Sequence, residues 1–115
     1  MSPDDLVRLK HMIDAASSAL RFTNGRTRED LDADQLLAFG LTRAVMIIGE
    51  AAARITPAGR AALPEVPWNQ IVGMRNRLVH AYFDVDLTIL WETVAEALPD
   101  LLAKLQAWRS QGGGS

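Results

Sequence analysis

Two arginines, one of only two histidines and the only tyrosine of this chain fall between Arg75 and Tyr82, with Asn76 among them. Histidine moves protons near neutral pH, the arginine fork holds phosphate oxygens in pairs, and asparagine orients its neighbours by hydrogen bonding. The chain has no cysteine, which excludes a sulfur nucleophile, thiolate metal ligands and a disulfide framework. Its histidines, His11 and His80, stand 69 positions apart and form no His-x-x-x-His pair, so no metal site and no cofactor is expected. What remains suits phosphodiester transfer in RNA, in which the 2′-hydroxyl attacks the adjacent phosphorus. His80 would take or give the proton, and Arg75 would hold the non-bridging oxygens and offset the developing charge. The same residue types also fit a polar helix edge, with His80 bonded to a backbone carbonyl and the arginines paired to the acidic C-terminal third. A non-catalytic surface for anions or for another protein is a third reading.

The spacing places this set on a helix. Ile71, Met74, Leu78 and Tyr82 recur at steps of 3, 4 and 4 and read as a buried face widened by Val72 and Val79. Asn69, Gly73, Asn76 and His80 run down another face, and Arg77, three before His80, flanks it. Arg75 fits less simply, because five residues of regular helix turn it about 140° from His80. Two copies of the helix facing each other would bring both sets into one groove, with Gly73 permitting the approach. A homodimer is therefore expected.

The elements that must position this helix are themselves helical. Much Ala and Leu, with little Thr, Tyr or Phe, predicts an all-α fold, one bundle of four main helices with additional short ones. Ser2, Pro3, Asp4 and Asp5 supply a cap, a first-turn proline and two carboxylates at the positive end of helix one. Its stripe is Leu6, Leu9, Ile13, Ala16 and Leu20, and Thr23, Asn24 and Gly25 stop it. Thr27 and Asp30 form a capping pair before a second long helix from about Asp34 to Ile55, with Ala38, Leu41, Val45, Ile48, Ala52 and Ile55 inward. Gly49 inside it costs about 1 kcal/mol against alanine in an exposed helix, which predicts close approach by another helix. Arg43 and Glu50 share nearly one side and read either as surface salt-bridging groups or as the rim of a partner surface or site. His11 reads as a surface or boundary histidine with a local role, with participation in a site as the other reading. Thr56 and Pro57 restart the chain, and Pro64 and Pro67 force a corner before Trp68. Asp86 is the expected cap of the last helix, whose stripe is Leu87, Leu90, Val94 and Leu98, with a kink or restart at Pro99. Residues 1–109 read as one domain, and residues 110–115 as a disordered tail or an expression remnant.

The formal net charge of −2 argues against coating nucleic acid through bulk positive charge. Its distribution is uneven, with five basic and two acidic residues in 35–82 against two basic and five acidic in 83–115. The uneven charge is compatible with a local anion site in an acidic chain. The charged first ten residues lack the apolar core of a signal peptide, and no run approaches 18 uncharged apolar residues. No membrane span and a cytoplasmic location are expected.

The Arg75-to-Phe83 segment RNRLVHAYF matches the R-x4-H-x-Y pattern of HEPN-domain proteins. The chain as a whole resembles the HepT-like ribonuclease toxins of minimal-nucleotidyltransferase toxin–antitoxin pairs. The resemblance runs from helix one to about Leu105 and includes IIGEAAARI at Ile47 to Ile55, Pro67 with Trp68, and DVDLTILWETV at Asp84 to Val94. It implies a HEPN bundle that dimerises through or beside the motif helix and lines a cleft that cuts RNA without metal. Arg75 and His80 then correspond to the catalytic pair, with Asn76 and Arg77 supporting them. It further implies the toxin component of a type II or type VII-like pair, neutralised by a nucleotidyltransferase antitoxin that transfers AMP to Tyr82. The other reading within the same superfamily is a non-nuclease nucleotide-binding or regulatory subunit of a nucleotidyltransferase complex.

Overall fold

Most helices begin where the sequence supplies an oxygen to accept the first free backbone N–H groups. Helix α1 (Pro3–Thr23) is capped by Ser2 Oγ, which accepts from the Asp5 N–H at 3.1 Å. Helix α3 (Gln35–Arg54) is capped by the Asp34 carboxylate on the Leu37 N–H at 3.0 Å, after the single turn α2 (Asp30–Ala33). Helix α4 (Pro57–Ala62) is capped by Thr56 Oγ1 on the Gly59 N–H, and α6 (Leu87–Glu92) by Asp86 on the N–H groups of Thr88 and Ile89. The computed structural model describes residues 1–80 and 86–113, except for the side chains of Val79, His80 and Gly113. Tyr82, expected as the last member of the motif helix's inner face, lies outside the described residues.

Helix α5 (Trp68–His80) starts on a buried tryptophan instead. The Trp68 indole N–H donates to the carbonyls of Leu63, at 3.1 Å, and Arg60, at 3.3 Å. The Arg60 guanidinium lies 5.9 Å from the ring centroid. A large apolar ring with both polar needs met fixes the direction in which the motif helix leaves the corner.

The described residues form an all-α bundle in which α3 packs against both α1 and α5, while α1 also meets α7 (Leu98–Trp108). Leu9, Met12, Leu41, Val45, Ile48, Leu90, Val94, Leu98 and Leu105 form the fully enclosed centre. Buried alanines, Ala15, Ala16 and Ala19 on α1 and Ala44, Ala51 and Ala52 on α3, let these helices approach closely. Helix α3 has the length and apolar content of a membrane span. It carries Arg43 and Glu50 within its length, however, and buries nine residues in the bundle.

Between α6 and α7 the helix widens into a π-type turn, Thr93–Ala97, where the Leu98 N–H reaches back to Thr93 O. Pro99 follows in the first turn of α7 and explains it. A proline ring collides with the carbonyl four residues back in a regular helix, and a wider turn just before it relieves that collision. A last turn, Arg109–Gly113, continues from α7, with Gly112 at a φ of 83°.

One feature of α1 reaches beyond local capping. Asp5 is 1% exposed, and its carboxylate accepts hydrogen bonds from both the N–H and the hydroxyl of Thr56, across the corner between α3 and α4. Gly59 leaves room for it, since a Cβ there would come 2.6 Å from the carboxylate. Arg8, 3.9 Å from Asp5, also donates to Arg54 O. The Thr56 hydroxyl, more than any other group, holds the Asp5 carboxyl below the ordinary value of 3.8, against the opposing effect of burial. A carboxylate with a lowered folded-state pKa stabilises the fold above its unfolded pKa, and that contribution fades as pH falls through the folded value. Asp5→Asn should therefore lower unfolding free energy by about 1–3 kcal/mol near neutral pH. In urea titrations the gap between variant and wild type should stay constant above about pH 5 and narrow below the ordinary carboxylate value.

Candidate active site

The last turns of α5 carry Arg75, Asn76, Arg77 and His80. Helix α5 contains no acidic residue, and its basic groups lie toward its C-terminal end, where the helix dipole favours positive charge. Its inner face is Ile71, Met74 and Leu78, all buried against the core, with Val72 half-buried beside them. This is the inward face expected from the spacing.

Arg75 does not point straight out from its place on the wheel. Its Nε and Nη2 groups donate to Asn76 Oδ1 at 3.3 and 2.9 Å. The guanidinium is thereby turned toward Asn76, which stands four residues before His80 and so on the same face. No ion pair with Arg75 occurs among the described residues, so no carboxylate there offsets its charge, and it has more N–H donors than the two given to Asn76. His80 closes α5, and its side chain lies outside the described residues, as does Tyr82.

The stem of Arg75 rests on Gly49 of α3. A Cβ built at Gly49 would stand 2.3 Å from Arg75 Cβ, 3.0 Å from its Cγ and 3.2 Å from its Cδ. Glycine is thus the residue that fits opposite this arginine. Composition alone marks Gly49 as a place of close approach without identifying what approaches.

Arg77 takes a different course. It is exposed and lines a groove of about 690 Å³ between α5 and the π-type turn, together with Gln70, Gly73, Glu92, Thr93 and Glu96. Arg75 and Asn76 are not part of that groove. Gly73 faces open space, with no heavy atom within 4 Å of where a Cβ would lie. A second groove, between α1 and α3, is lined by His11, Arg43, Glu50 and Arg54. Arg43 and Glu50 both face it, yet no ion pair joins them among the described residues. The surface ion pairs that do form are of another kind, such as Arg26 with Asp34 at 2.8 Å, which draws the Asp34 carboxyl below its usual range. Among the described residues no three of His, Cys, Asp and Glu converge on a common point.

Comparison with known proteins places this geometry in context. Residues 12–108 match the family model described as ribonuclease HepT-like. A protein of Thermococcus cleftensis named as a ribonuclease HepT is 38% identical over 101 residues, which cover 88% of this chain and 92% of that one. A protein of Caldanaerobacter subterraneus named as an RNase is 34% identical over 93 residues, 81% of this chain and 83% of that one. A third, from Methanocaldococcus jannaschii and also named as an RNase, is 32% identical over 98 residues, 85% of this chain and 90% of that one. No solved structure matches the chain.

The contact between Arg75 and Asn76 has a measurable consequence for anion binding. Asn76→Ala frees the guanidinium and should weaken binding of a short RNA oligonucleotide by about fivefold, roughly 1 kcal/mol, in fluorescence anisotropy. Asn76→Asp would hold Arg75 more firmly but neutralise it, and should weaken binding further. Tighter binding by the Asp variant would contradict this account of the contact.

Proposed function

The chain belongs to the ribonuclease HepT-like family, and from that premise we propose a metal-independent endoribonuclease that serves as the toxin component of a toxin–antitoxin pair. The observation that carries this reading is Arg75, a cation oriented by Asn76 on the motif helix and left without a carboxylate partner among the described residues. Arg26 and Arg28 pair with carboxylates, whereas Arg75 gives its head to the neutral oxygen of Asn76 and rests its stem on Gly49. An arginine kept oriented and charged is suited to a phosphate.

In the proposed reaction the 2′-oxygen of the substrate attacks the adjacent phosphorus while the bond from phosphorus to the 5′-oxygen breaks. The products are a 2′,3′-cyclic phosphate and a free 5′-hydroxyl. His80 exchanges a proton with the attacking or the leaving oxygen, and Arg75 binds the non-bridging oxygens as charge builds on them. Asn76 keeps the guanidinium directed, and Arg77 adds positive potential on the adjoining surface. A second copy of the chain facing this helix would complete the cleft, and the open space at Gly73 is compatible with its approach. Tyr82, two residues beyond His80, is the proposed acceptor of AMP from a nucleotidyltransferase antitoxin. A bulky group carrying a phosphate there would obstruct RNA and compete for the arginines.

The test is RNA cleavage by purified protein in excess EDTA. Wild type should retain its rate, His80→Ala should lose on the order of 100- to 10,000-fold, and Arg75→Ala on the order of 100- to 1,000-fold. Equal cleavage by all three would remove both residues from the mechanism. Binding of AMP or ATP by a wild type that cleaves no RNA would instead favour a nucleotide-binding regulatory subunit.

A further inference from the structure

Gly49 lies in the last third of α3, buried, with an ordinary helical φ, so no backbone conformation requires glycine there. Elsewhere the chain brings helices together with alanine, as at Ala15, Ala16, Ala44 and Ala51. Position 49 goes one step smaller than these. What stands opposite is the aliphatic stem of Arg75, whose Cβ, Cγ and Cδ all come within 3.2 Å of the place where an alanine methyl would be.

We propose that Gly49 is a positioning residue for Arg75: the bare backbone of α3 seats the arginine stem, Asn76 holds the head, and together they aim the guanidinium at the scissile phosphate. The proposal rests on the reading of Arg75 as the phosphate-binding residue. Ordinary contact begins at 3.4 Å, and Arg75 Cβ is fixed to its backbone, so a methyl 2.3 Å from it would push this turn of α5, with the arginine it carries, roughly 1 Å away from α3. A misplacement of that size at a reacting centre costs on the order of 100-fold in rate. Arg75 and Asn76 would move together with that turn, so their hydrogen bonds persist while the guanidinium is displaced, and the loss falls on turnover more than on substrate affinity.

The experiment compares wild type, Gly49→Ala, Arg75→Ala, Arg75→Gly and the double variant Gly49→Ala/Arg75→Gly. RNA cleavage is followed at a temperature where circular dichroism shows each protein folded, and thermal unfolding is measured alongside. Gly49→Ala should lose on the order of 100-fold in kcat with KM changed less. In the Arg75→Gly background, where the obstructing Cβ and the arginine are both gone, the same alanine should cost no further activity and should lower the unfolding midpoint less than it does alone. A folded Gly49→Ala that cleaves at the wild-type rate overturns the proposal, as does an equal activity loss in both backgrounds. If Gly49→Ala does not fold, recovery of the fold in the double variant supports the contact with Arg75, and failure to recover it overturns that contact. Wild-type activity in Arg75→Ala would overturn the reading of Arg75 itself, whatever the coupling in stability.

Discussion

An arginine that binds phosphate must be held still without being neutralised, and these demands conflict, because the usual way to fix a guanidinium is to pair it with a carboxylate. Here the stem lies on the bare backbone of Gly49 and the head on the neutral oxygen of Asn76. Neither contact removes charge. The rest of the fold can be understood as keeping α3 and α5 at the spacing this arrangement needs: Ile71, Met74 and Leu78 fix the rotation of α5, and Trp68 fixes its start. Along the sequence the negative charge falls in the N-terminal third and the last helices and leaves the middle positive, while in space Glu92 and Glu96 share a groove with Arg77.

The platform that carries Gly49 is itself secured at its far end. Asp5 on α1 closes over the corner after α3 through Thr56, and Gly59 admits the carboxylate. A buried carboxylate satisfied by a hydroxyl, an N–H and a nearby arginine holds the helices in one register, because losing any partner would leave a charge stranded in the core. The alanine seam between α1 and α3 adds shape to that register. The geometry at Gly49 thus depends on the corner that closes α3 as well as on α5 itself.

Local signals were readable from the chain and nonlocal ones were not. Ser2, Thr56 and Asp86 announce helix starts because a cap bonds to a backbone group within three residues, and each does so in the structure, which also shows Asp34 capping α3. The inner face of α5 was likewise legible at Ile71, Met74 and Leu78, since periodicity alone determines it. Pro99 signalled an interruption, and the wider turn before it is the physical form that interruption takes. Arg43 and Glu50 share a side of α3 yet do not pair, because sharing a face does not bring the charged ends together. Asp5 read as a carboxylate at a helix start, and only the fold shows it bonded to Thr56. Arg77 read as a neighbour of His80, while the last helices place it in a groove with Glu92 and Glu96. Gly49 was conspicuous, but its partner belongs to another helix and no pattern along α3 could name it.

The central claim is that Arg75 is held in place before RNA arrives and remains free to bind phosphate. Nitrogen-15 NMR of the arginine side chains, with an RNA oligonucleotide made uncleavable by a 2′-deoxy substitution, tests it most directly. The account predicts a distinct, slowly exchanging Arg75 Nε–H signal in the free protein, owing to Asn76, and a clear shift on addition of RNA. An Arg75 signal that exchanges as fast as that of an exposed arginine, and does not move while RNA binds elsewhere, would contradict it.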